Sequence, residues 1–322
     1  MAQNISITIA AGDMDRVAAI KDGRVQVEGC DVTFIPMEPE EVFFRAFRYS
    51  EFDCCELSFS SHMRVTSQNK SNYVGIPAFV SRVFRHSAFY IRTDRGITKP
   101  EDLRGKLVGL PEYQMTAPVW MRGILEDEYG IKPQEIRWRS GGQEEAGRDE
   151  RTPFEAPPGL DLQPIPEDRT LVEMFEAGEL DALMTARAPS SFNLGKPNID
   201  RLWPNFRDVE KEYYRKTKMF PIMHLMGLRK DLHEAHPWLV GSIYKALLQS
   251  RDIAYEDLAK TAALSVALPW VDAERRDTVE LMGNDFWRYG IEECRHEIEA
   301  LARYSHSHGL SERLLTPEDL FA

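Results

Sequence analysis

The sequence lacks the features that mark disulfide-rich, membrane-spanning and zinc-binding proteins. Its 322 residues include four cysteines, and the spacing of Cys30, Cys54, Cys55 and Cys294 matches neither a disulfide framework nor a zinc site. No apolar run reaches the roughly 18 residues that a membrane-spanning helix needs. The amino-terminal segment has no basic stretch before its first apolar run, which is not typical of a secretory signal. We therefore expect a cytoplasmic protein that does not enter a membrane.

Basic residues are also in the minority. The chain has 40 Lys and Arg against 52 Asp and Glu, a formal net charge of −12. This balance argues against nucleic acid or an anionic membrane surface as a partner, although a local arginine cluster can still bind a small anion. The length and the 43% hydrophobic content are typical of one large or two medium globular domains. The oligomeric state is left open, a homo-oligomer included.

The pattern of apolar residues predicts an α/β protein with two lobes. Strand-like runs alternate with helical spacing, which indicates mostly parallel sheets. The strand-like runs of the first ninety residues are 5–10, 32–36, 52–57, 73–79 and 87–91. A second α/β unit follows, and the apolar run 220–229 is interpreted as a strand that returns to the first lobe. The predicted first lobe comprises 1–93 and 205–322, and the predicted second lobe comprises 94–204.

Two further segments carry predictions of their own. From residue 237 onward the spacing predicts helices, at 238–255, 256–267, 272–282 and 291–304. The segment 139–166 is rich in glycine, proline and charge, and we interpret it as a long loop that is mobile or closes over a cleft between the lobes.

A cleft site is suggested by polar side chains that follow predicted strands, since ligands of such sheets bind at the carboxyl ends of strands. The clearest case is the block 109–130, where a turn presents Tyr113, Gln114 and Thr116 before a helix that has Pro118 in its first turn. The free N–H groups at the start of a helix suit a carboxylate. The alternative is an ordinary strand–turn–helix crossover.

Three residues are candidates for proton transfer. His224 interrupts an apolar run, and the ordinary imidazole pKa of about 6.5 suits proton transfer at neutral pH. Its alternative role is that of a buried core residue. Glu56 also interrupts an apolar run, either as a ligand-facing carboxylate or as the partner of an arginine. Asp13 follows the first strand and either caps the next helix or faces the cleft.

Other polar residues are candidates for binding a substrate. Ser58, Ser60 and Ser61 either donate hydrogen bonds to a carboxylate or hydroxyl group or cap a helix that starts near residue 62. The Gly-x-Ser-x-Gly pattern of a serine nucleophile does not surround them.

Basic candidates come from two turns. Arg82 and Arg85, with His86 beside them, have a spacing that suits a bidentate grip on carboxylates, or else form a solvated basic turn. Arg187 ends a predicted strand and is expected at the cleft. The His-x-His pair of residues 306–308 is interpreted as an exposed turn, and the sequence contains no dedicated metal motif.

Several stretches together resemble the 4,5-dihydroxyphthalate decarboxylase family. They are 53–61, 109–117, 120–123, 138–142, 178–183 and 221–224, within a resemblance that spans about 4–230. The resemblance implies a type II periplasmic-binding-protein-like fold used as an enzyme. It also implies loss of one ring carboxylate from 4,5-dihydroxyphthalate, which leaves 3,4-dihydroxybenzoate, and it favours a catalytic role for His224.

That chemistry sets requirements on the site. The ring carbon that loses its carboxylate must be protonated, and the hydroxyl para to it must donate electrons, so an acid, a base and cations are needed. The ring itself is the electron sink, so we expect no cofactor, while a divalent cation on the catechol oxygens is left open. The alternatives are a non-catalytic solute-binding protein of a transporter and a lyase related to the futalosine-pathway enzymes of menaquinone synthesis.

Overall fold

The computed structural model describes residues 4–147 and 155–322. The strands of these residues are β1 (Ile5–Ala11), β2 (Cys30–Pro36), β3 (Cys54–Ser58), β4 (Tyr73–Arg82), β5 (Phe89–Arg92), β6 (Leu107–Leu110), β7 (Arg137–Ser140), β8 (Leu162–Pro164), β9 (Ala182–Met184), β10 (Ile199–Arg201) and β11 (Ile222–Arg229). The α-helices are α1 (Asp15–Lys21), α2 (Pro39–Tyr49), α3 (Phe59–Ser67), α4 (Thr116–Tyr129), α5 (Leu171–Glu176), α6 (Ser190–Asn193), α7 (Phe206–Thr217), α8 (Lys230–Ala235), α9 (Trp238–Ala259), α10 (Val271–Met282), α11 (Ile291–Ser307) and α12 (Pro317–Leu320). None of the helices described is both long and apolar enough to cross a bilayer.

The first sheet has the strand order β2-β1-β3-β11-β4. Strands β1, β2 and β3 run parallel, and β11 lies antiparallel between β3 and β4, with His224 opposite Ser58. The predicted return of the chain to the first lobe is therefore confirmed. The register between β11 and β4 shifts on both sides of His224, and such bulges re-aim a side chain.

The second sheet has the order β10-β5-β9-β6-β7-β8. Strand β5 pairs with β9 and β10 and therefore belongs to this sheet, not to the first one. The first crossing between the sheets accordingly comes before residue 89 rather than near 93. The apolar run 87–91 would fit the interior of either sheet, so its pattern alone does not decide its partners. The chain returns to the first sheet between β10 and β11, which agrees with the predicted crossing near 205.

Two other predictions need correction. The segment 139–166 contains the end of β7 and all of β8, which pair in parallel, so it is not a continuous loop. Residues 148–154 of this segment lie outside the described residues. No helix forms over 260–270, where Leu264, Val266 and Leu268 are exposed and alternate along the chain. Alternation with a period of two opposes the period of 3.6 that an amphipathic helix requires.

The helices after residue 237 are packed onto the lobes and contribute to one continuous hydrophobic core. Helix α11 packs against α4, and the ring of Tyr304 lies directly against the backbone of Gly123. A Cβ atom added to Gly123 would lie 2.3 Å from this ring. The glycine is therefore required by the close approach of the two helices and not by its backbone angles.

We predict opposite effects for the same substitution at two helical glycines. Gly123→Ala should lower the free energy of unfolding by about 1–3 kcal/mol, because the core cannot accommodate the added methyl group without shifting Tyr304. Gly241→Ala is the matched control on the exposed side of α9, where no atom lies within 4 Å of the added Cβ. It should raise stability by about 0.5–1 kcal/mol. Urea denaturation measures both, and a stabilising Gly123→Ala would contradict the packing.

Candidate active site

The two lobes meet where β3 of the first sheet leads into α3 and the turn after β6 leads into α4. Thr116 is the first residue of α4, and its hydroxyl oxygen lies 3.1 Å from Ser58 Oγ and accepts the Ser60 N–H at 3.1 Å. Ser61 Oγ donates to Ser58 Oγ at 3.2 Å. Helix α3 begins directly after Ser58, so the amino-terminal ends of α3 and α4 point at one place. Two positive dipole ends in one place favour an anion there.

A carboxylate and an imidazole lie beside this point, on the same face of the first sheet. Glu56 Oε1 accepts a hydrogen bond from His224 Nδ1 at 2.6 Å, and Glu56 Oε2 accepts the backbone N–H of Gly12 at 2.8 Å. Glu56 and Ser58 alternate along β3, and His224 is opposite Ser58 on β11, so all three side chains share one face. Phe43 of α2 packs edge-on against the imidazole at 4.7 Å between ring centroids.

The hydrogen-bond partners of Glu56 determine which groups of the Glu56–His224 pair carry a proton. The Glu56 side chain is fully buried, and burial is the strongest influence and would raise its pKa. The hydrogen bonds from His224 and Gly12, with the nearby charge of Arg16, outweigh burial and hold the pKa of Glu56 below its usual range. Glu56 is therefore ionised, and Nδ1 of His224 carries the hydrogen that it accepts.

The second nitrogen of the imidazole is the one that is open to a ligand. With Nδ1 bonded to Glu56, only Nε2 is available to a ligand. Within residues 4–147 and 155–322, Nε2 has no hydrogen-bond partner, and the His224 side chain retains 21% of its exposure. An imidazole held by a carboxylate through one nitrogen and open at the other is suited to proton transfer.

A cavity of about 630 Å³ lies at the strand ends of the second lobe. Its walls come from the turns after β6, β7 and β9 and from the start of α2 in the first lobe: Glu40, Pro111, Met115, Gly142, Gln143, Glu144, Glu145, Ala146, Gly147, Thr185, Ala186 and Arg187. Thr185 donates a hydrogen bond to the Gln143 side-chain oxygen, and Glu144 accepts two hydrogen bonds from Ser190. This volume is adequate for one small aromatic ligand.

The comparisons with known proteins identify the family. The 4,5-dihydroxyphthalate decarboxylase of Comamonas testosteroni is 44% identical over 317 residues, which cover 98% of this chain and 96% of that protein. The chain belongs to the 4,5-dihydroxyphthalate decarboxylase family. The Pseudomonas putida protein of the same name is 43% identical over 211 residues, which cover 66% of this chain and 82% of that protein. No protein-family model matches the sequence.

Solved structures confirm the fold of this family member. The alkanesulfonate-binding protein SsuA of Xanthomonas axonopodis pv. citri gives a TM-score of 0.55 at 11% identity and covers 100% of this chain and 99% of its own. The periplasmic aliphatic sulphonate-binding protein SsuA of Escherichia coli gives a TM-score of 0.53 at 11% identity, with 99% and 98% covered. At this identity the likeness establishes the fold alone, which is the predicted two-lobed type II binding-protein-like fold.

Three candidates from the sequence have partners that local patterns did not predict in this decarboxylase-family chain. Arg82 is fully buried and bound by Glu297, by the carbonyl oxygens of residues 220 and 288 and by Cys294, so it ties β4 to the carboxy-terminal helices. The Asp13 side chain is 60% exposed, pairs with Lys21 and lines a second cavity, of about 380 Å³, together with Gly12 and Pro39. It does not cap α1, because the residue before that helix is Met14. A role for Asp13 at the substrate stays a prediction.

His86 is the third of these candidates. Its ring packs against Trp203 and Tyr213 at 5.2 Å and 5.1 Å between centroids. Burial lowers the pKa of His86 to about 4, so the ring is neutral at physiological pH. A neutral imidazole within an aromatic cluster is not suited to binding a carboxylate, and we assign His86 a packing role.

Of the remaining candidates, Arg187 lines the cavity, whereas Tyr113 and Gln114 are buried in the turn that leads into α4. Arg187 lines the cavity with a side chain 66% exposed, 3.7 Å from a Glu40 oxygen. Tyr113 and Gln114 are buried in the turn before α4, and the Tyr113 ring lies 3.6 Å from the Arg122 guanidinium. Among the described residues, no three His, Cys, Asp or Glu side chains form a group that could hold a metal ion. The absence of a cofactor stays a prediction.

Sequence reasoning missed two residues of the site. The backbone of Gly12 binds Glu56, and a Cβ atom at this position would lie 3.4 Å from the same carboxylate oxygen. Gln143 accepts from Thr185 at the cavity wall. Gly12 directly follows β1, and Ser58 is the last residue of β3, so the expectation that ligands bind at the carboxyl ends of strands applies to Gly12 as well. Gln143 follows β7, whose sequence Arg-Trp-Arg-Ser lacks the apolar run that would indicate a strand.

We predict a pH-dependent loss of stability for Glu56→Gln. The lowered pKa of Glu56 means that its ionised form stabilises the fold above the ordinary carboxyl pKa of about 4.3, and that this contribution is lost as the pH falls through the lower folded value. The variant should lose about 1–3 kcal/mol at neutral pH. Its deficit relative to the unmodified protein should shrink below pH 4 in urea titrations.

Glu51→Gln is the matched control. Its carboxylate is exposed and pairs with Arg45 on the surface, so its removal should change stability little at any pH. An equal effect of the two substitutions at neutral pH would contradict the importance of the buried pair.

Proposed function

We propose that this protein catalyses the decarboxylation of 4,5-dihydroxyphthalate to 3,4-dihydroxybenzoate and carbon dioxide without a cofactor, and is therefore a carboxy-lyase. The membership of the family supports the substrate. The observation that carries the proposal is the Glu56–His224 pair, whose open nitrogen lies beside two helix ends that favour an anion. A proton donor next to a carboxylate site is the minimum that this reaction requires.

The reaction needs one proton at the ring carbon that loses its carboxylate. In our proposal the protonated imidazole of His224 donates from Nε2 to this carbon, while the hydroxyl para to it donates electron density into the ring. The bond from the ring to the carboxyl carbon then breaks, carbon dioxide leaves, and the bonding pair restores the aromatic ring. The imidazole proton becomes the new ring hydrogen, and His224 regains a proton from solvent. The ring serves as the electron sink.

Glu56 acts in this scheme as a positioning residue. Its two oxygens are occupied by His224 and by Gly12, and the low pKa of Glu56 keeps it ionised, so it does not deliver the proton itself. The carboxylate fixes the orientation of the imidazole and offsets the positive charge of the protonated ring, as the aspartate of a Ser–His–Asp triad does for its histidine.

Ser58, Ser60 and Thr116 determine where the reacting group is held. Ser58 is opposite His224 in the β3–β11 pair, and directly opposed side chains lie about 5 Å apart. A carboxylate bound at the two helix ends would therefore be adjacent to the imidazole. Its binding would replace the hydrogen bonds that the hydroxyl groups now make with one another.

We predict that His224→Gln lowers turnover by about 10²-fold or more, the usual size of general acid–base assistance. Binding of the unreactive analogue phthalate should persist, since Gln removes the proton donor and leaves the helix ends intact. The release of carbon dioxide and the formation of 3,4-dihydroxybenzoate measure turnover, and calorimetry measures binding.

His236→Gln is the control. This histidine follows α8, and its ring packs against Trp238 rather than against Glu56 or Ser58. The His236→Gln variant should turn over substrate at the normal rate. Normal turnover in His224→Gln would remove this residue from the mechanism. Binding of 4,5-dihydroxyphthalate by the unmodified protein without any turnover would favour a binding protein instead.

A further inference from the structure

Arg85 is a buried cation whose charge is not matched by an adjacent carboxylate. The residue is 7% exposed, and among the described residues it forms no ion pair within 4 Å. Its Nε donates to the sulfur of Met223 at 3.2 Å, and Nη1 lies 3.5 Å from the carbonyl oxygen of Ala186. Both are weak acceptors or long contacts. Nη2 has no hydrogen-bond partner in the described part of the chain, and it is not sealed from solvent.

Arg82, three residues earlier and at the end of β4, provides a comparison. Its guanidinium is also buried, but it has a carboxylate, two backbone carbonyl oxygens and a thiol around it. Removing a charge from water costs several kcal/mol unless partners replace the water. Arg82 has such partners and Arg85 does not. Burial lowers the pKa of Arg85 to about 10, which leaves it positively charged at neutral pH.

The nearby acid Glu210 does not supply the missing partner. Its negative charge acts on Arg85, but it accepts a hydrogen bond from the backbone of Ser87 at 3.0 Å and forms no ion pair with the guanidinium. Burial raises the pKa of Glu210, which further weakens its role as a counter-ion. The guanidinium is therefore able to bind an anionic group of a ligand.

The position of Arg85 connects the two halves of the site. Met223 directly precedes His224 on β11, and Ala186 lines the 630 Å³ cavity at the end of β9. The guanidinium therefore lies one contact behind the wall of this cavity, at Ala186, and it also contacts the residue that precedes His224 in the chain. An ortho-dicarboxylate carries two anionic groups on adjacent carbons, and the site offers two places for anions, at Arg85 and at the helix ends.

We propose that Arg85 binds the ring carboxylate that remains in the product. This inference rests on the proposed function. A carboxylate that leaves must lose its charge as carbon dioxide forms. A buried guanidinium beside it, which keeps its own charge, would therefore stabilise the ground state more than the transition state and oppose the reaction, whereas His224 loses its charge with the proton that it donates. The retained carboxylate keeps its charge throughout. The helix ends and the hydroxyl groups of Ser58 and Thr116 are electrically weaker and hold the leaving carboxylate.

The test compares substrate and product binding in variants of Arg85. The Km for 4,5-dihydroxyphthalate is measured by turnover, and the Kd for 3,4-dihydroxybenzoate is measured by calorimetry, which does not depend on turnover. Arg85→Met should raise both constants by a similar factor of at least about 30, the size expected when a buried charge loses its partner. Arg85→Lys should raise both by a smaller factor, since it keeps the charge but not the planar fork.

Arg207→Met is the matched control. It removes one positive charge from a surface cluster with Glu274 and Asp277 and should leave both constants unchanged. Thermal unfolding separates binding from a structural role, because replacing an unpaired buried cation by an apolar side chain is neutral or stabilising. Arg85→Met should therefore unfold at the normal temperature or above.

Each outcome decides the inference. A raised Km with an unchanged Kd for 3,4-dihydroxybenzoate would assign Arg85 to the leaving carboxylate and overturn it, as would no change in either constant. If Arg85→Met does not fold, a structural role is indicated, and an unchanged Kd in Arg85→Lys overturns the inference as well. If the unmodified protein shows no turnover but loses 3,4-dihydroxybenzoate binding in Arg85→Met, the proposed function fails while the role of Arg85 stands.

Discussion

The carboxylate of Glu56 lies in the interior of the first sheet, where an ionised group is costly unless each oxygen has a partner. Those partners come from distant parts of the chain: the backbone of Gly12, 44 residues earlier, and the imidazole of His224, 168 residues later. Strand β11 must therefore lie next to β3 for the pair to form. The need to satisfy one buried charge thus links the turn after β1 to the return of the chain from the second lobe.

The arginines at positions 82 and 85 show that two residues of one sequence motif can have different surroundings in the fold. Both are buried, and both precede the crossing to the second sheet, but Arg82 meets Glu297 of α11 whereas Arg85 meets a thioether and a carbonyl oxygen. The difference between them is the set of partners that the fold supplies. A buried cation with a carboxylate stabilises the structure, and one without a carboxylate is available to a ligand.

Local patterns were sufficient for most of the fold and for part of the site. The apolar runs identified the strands of the first sheet. The expectation that ligands bind at the carboxyl ends of strands identified Glu56, Ser58 and Thr116. Both patterns depend on residues that are near one another in the sequence. The sheet membership of β5, the partner of Arg82 and the pairing of Asp13 with Lys21 could not be predicted in this way. Each depends on which surfaces meet in the folded chain.

The net charge of −12 bears on how such a site captures a dianion. Charges farther apart than the Debye length of about 8 Å are screened at physiological salt, so the acidic surface acts weakly on a ligand inside the cleft. The groups that lie within this distance dominate, and in the low dielectric of the cleft their effect is larger. An acidic protein can therefore bind an anion through one buried guanidinium and two helix ends.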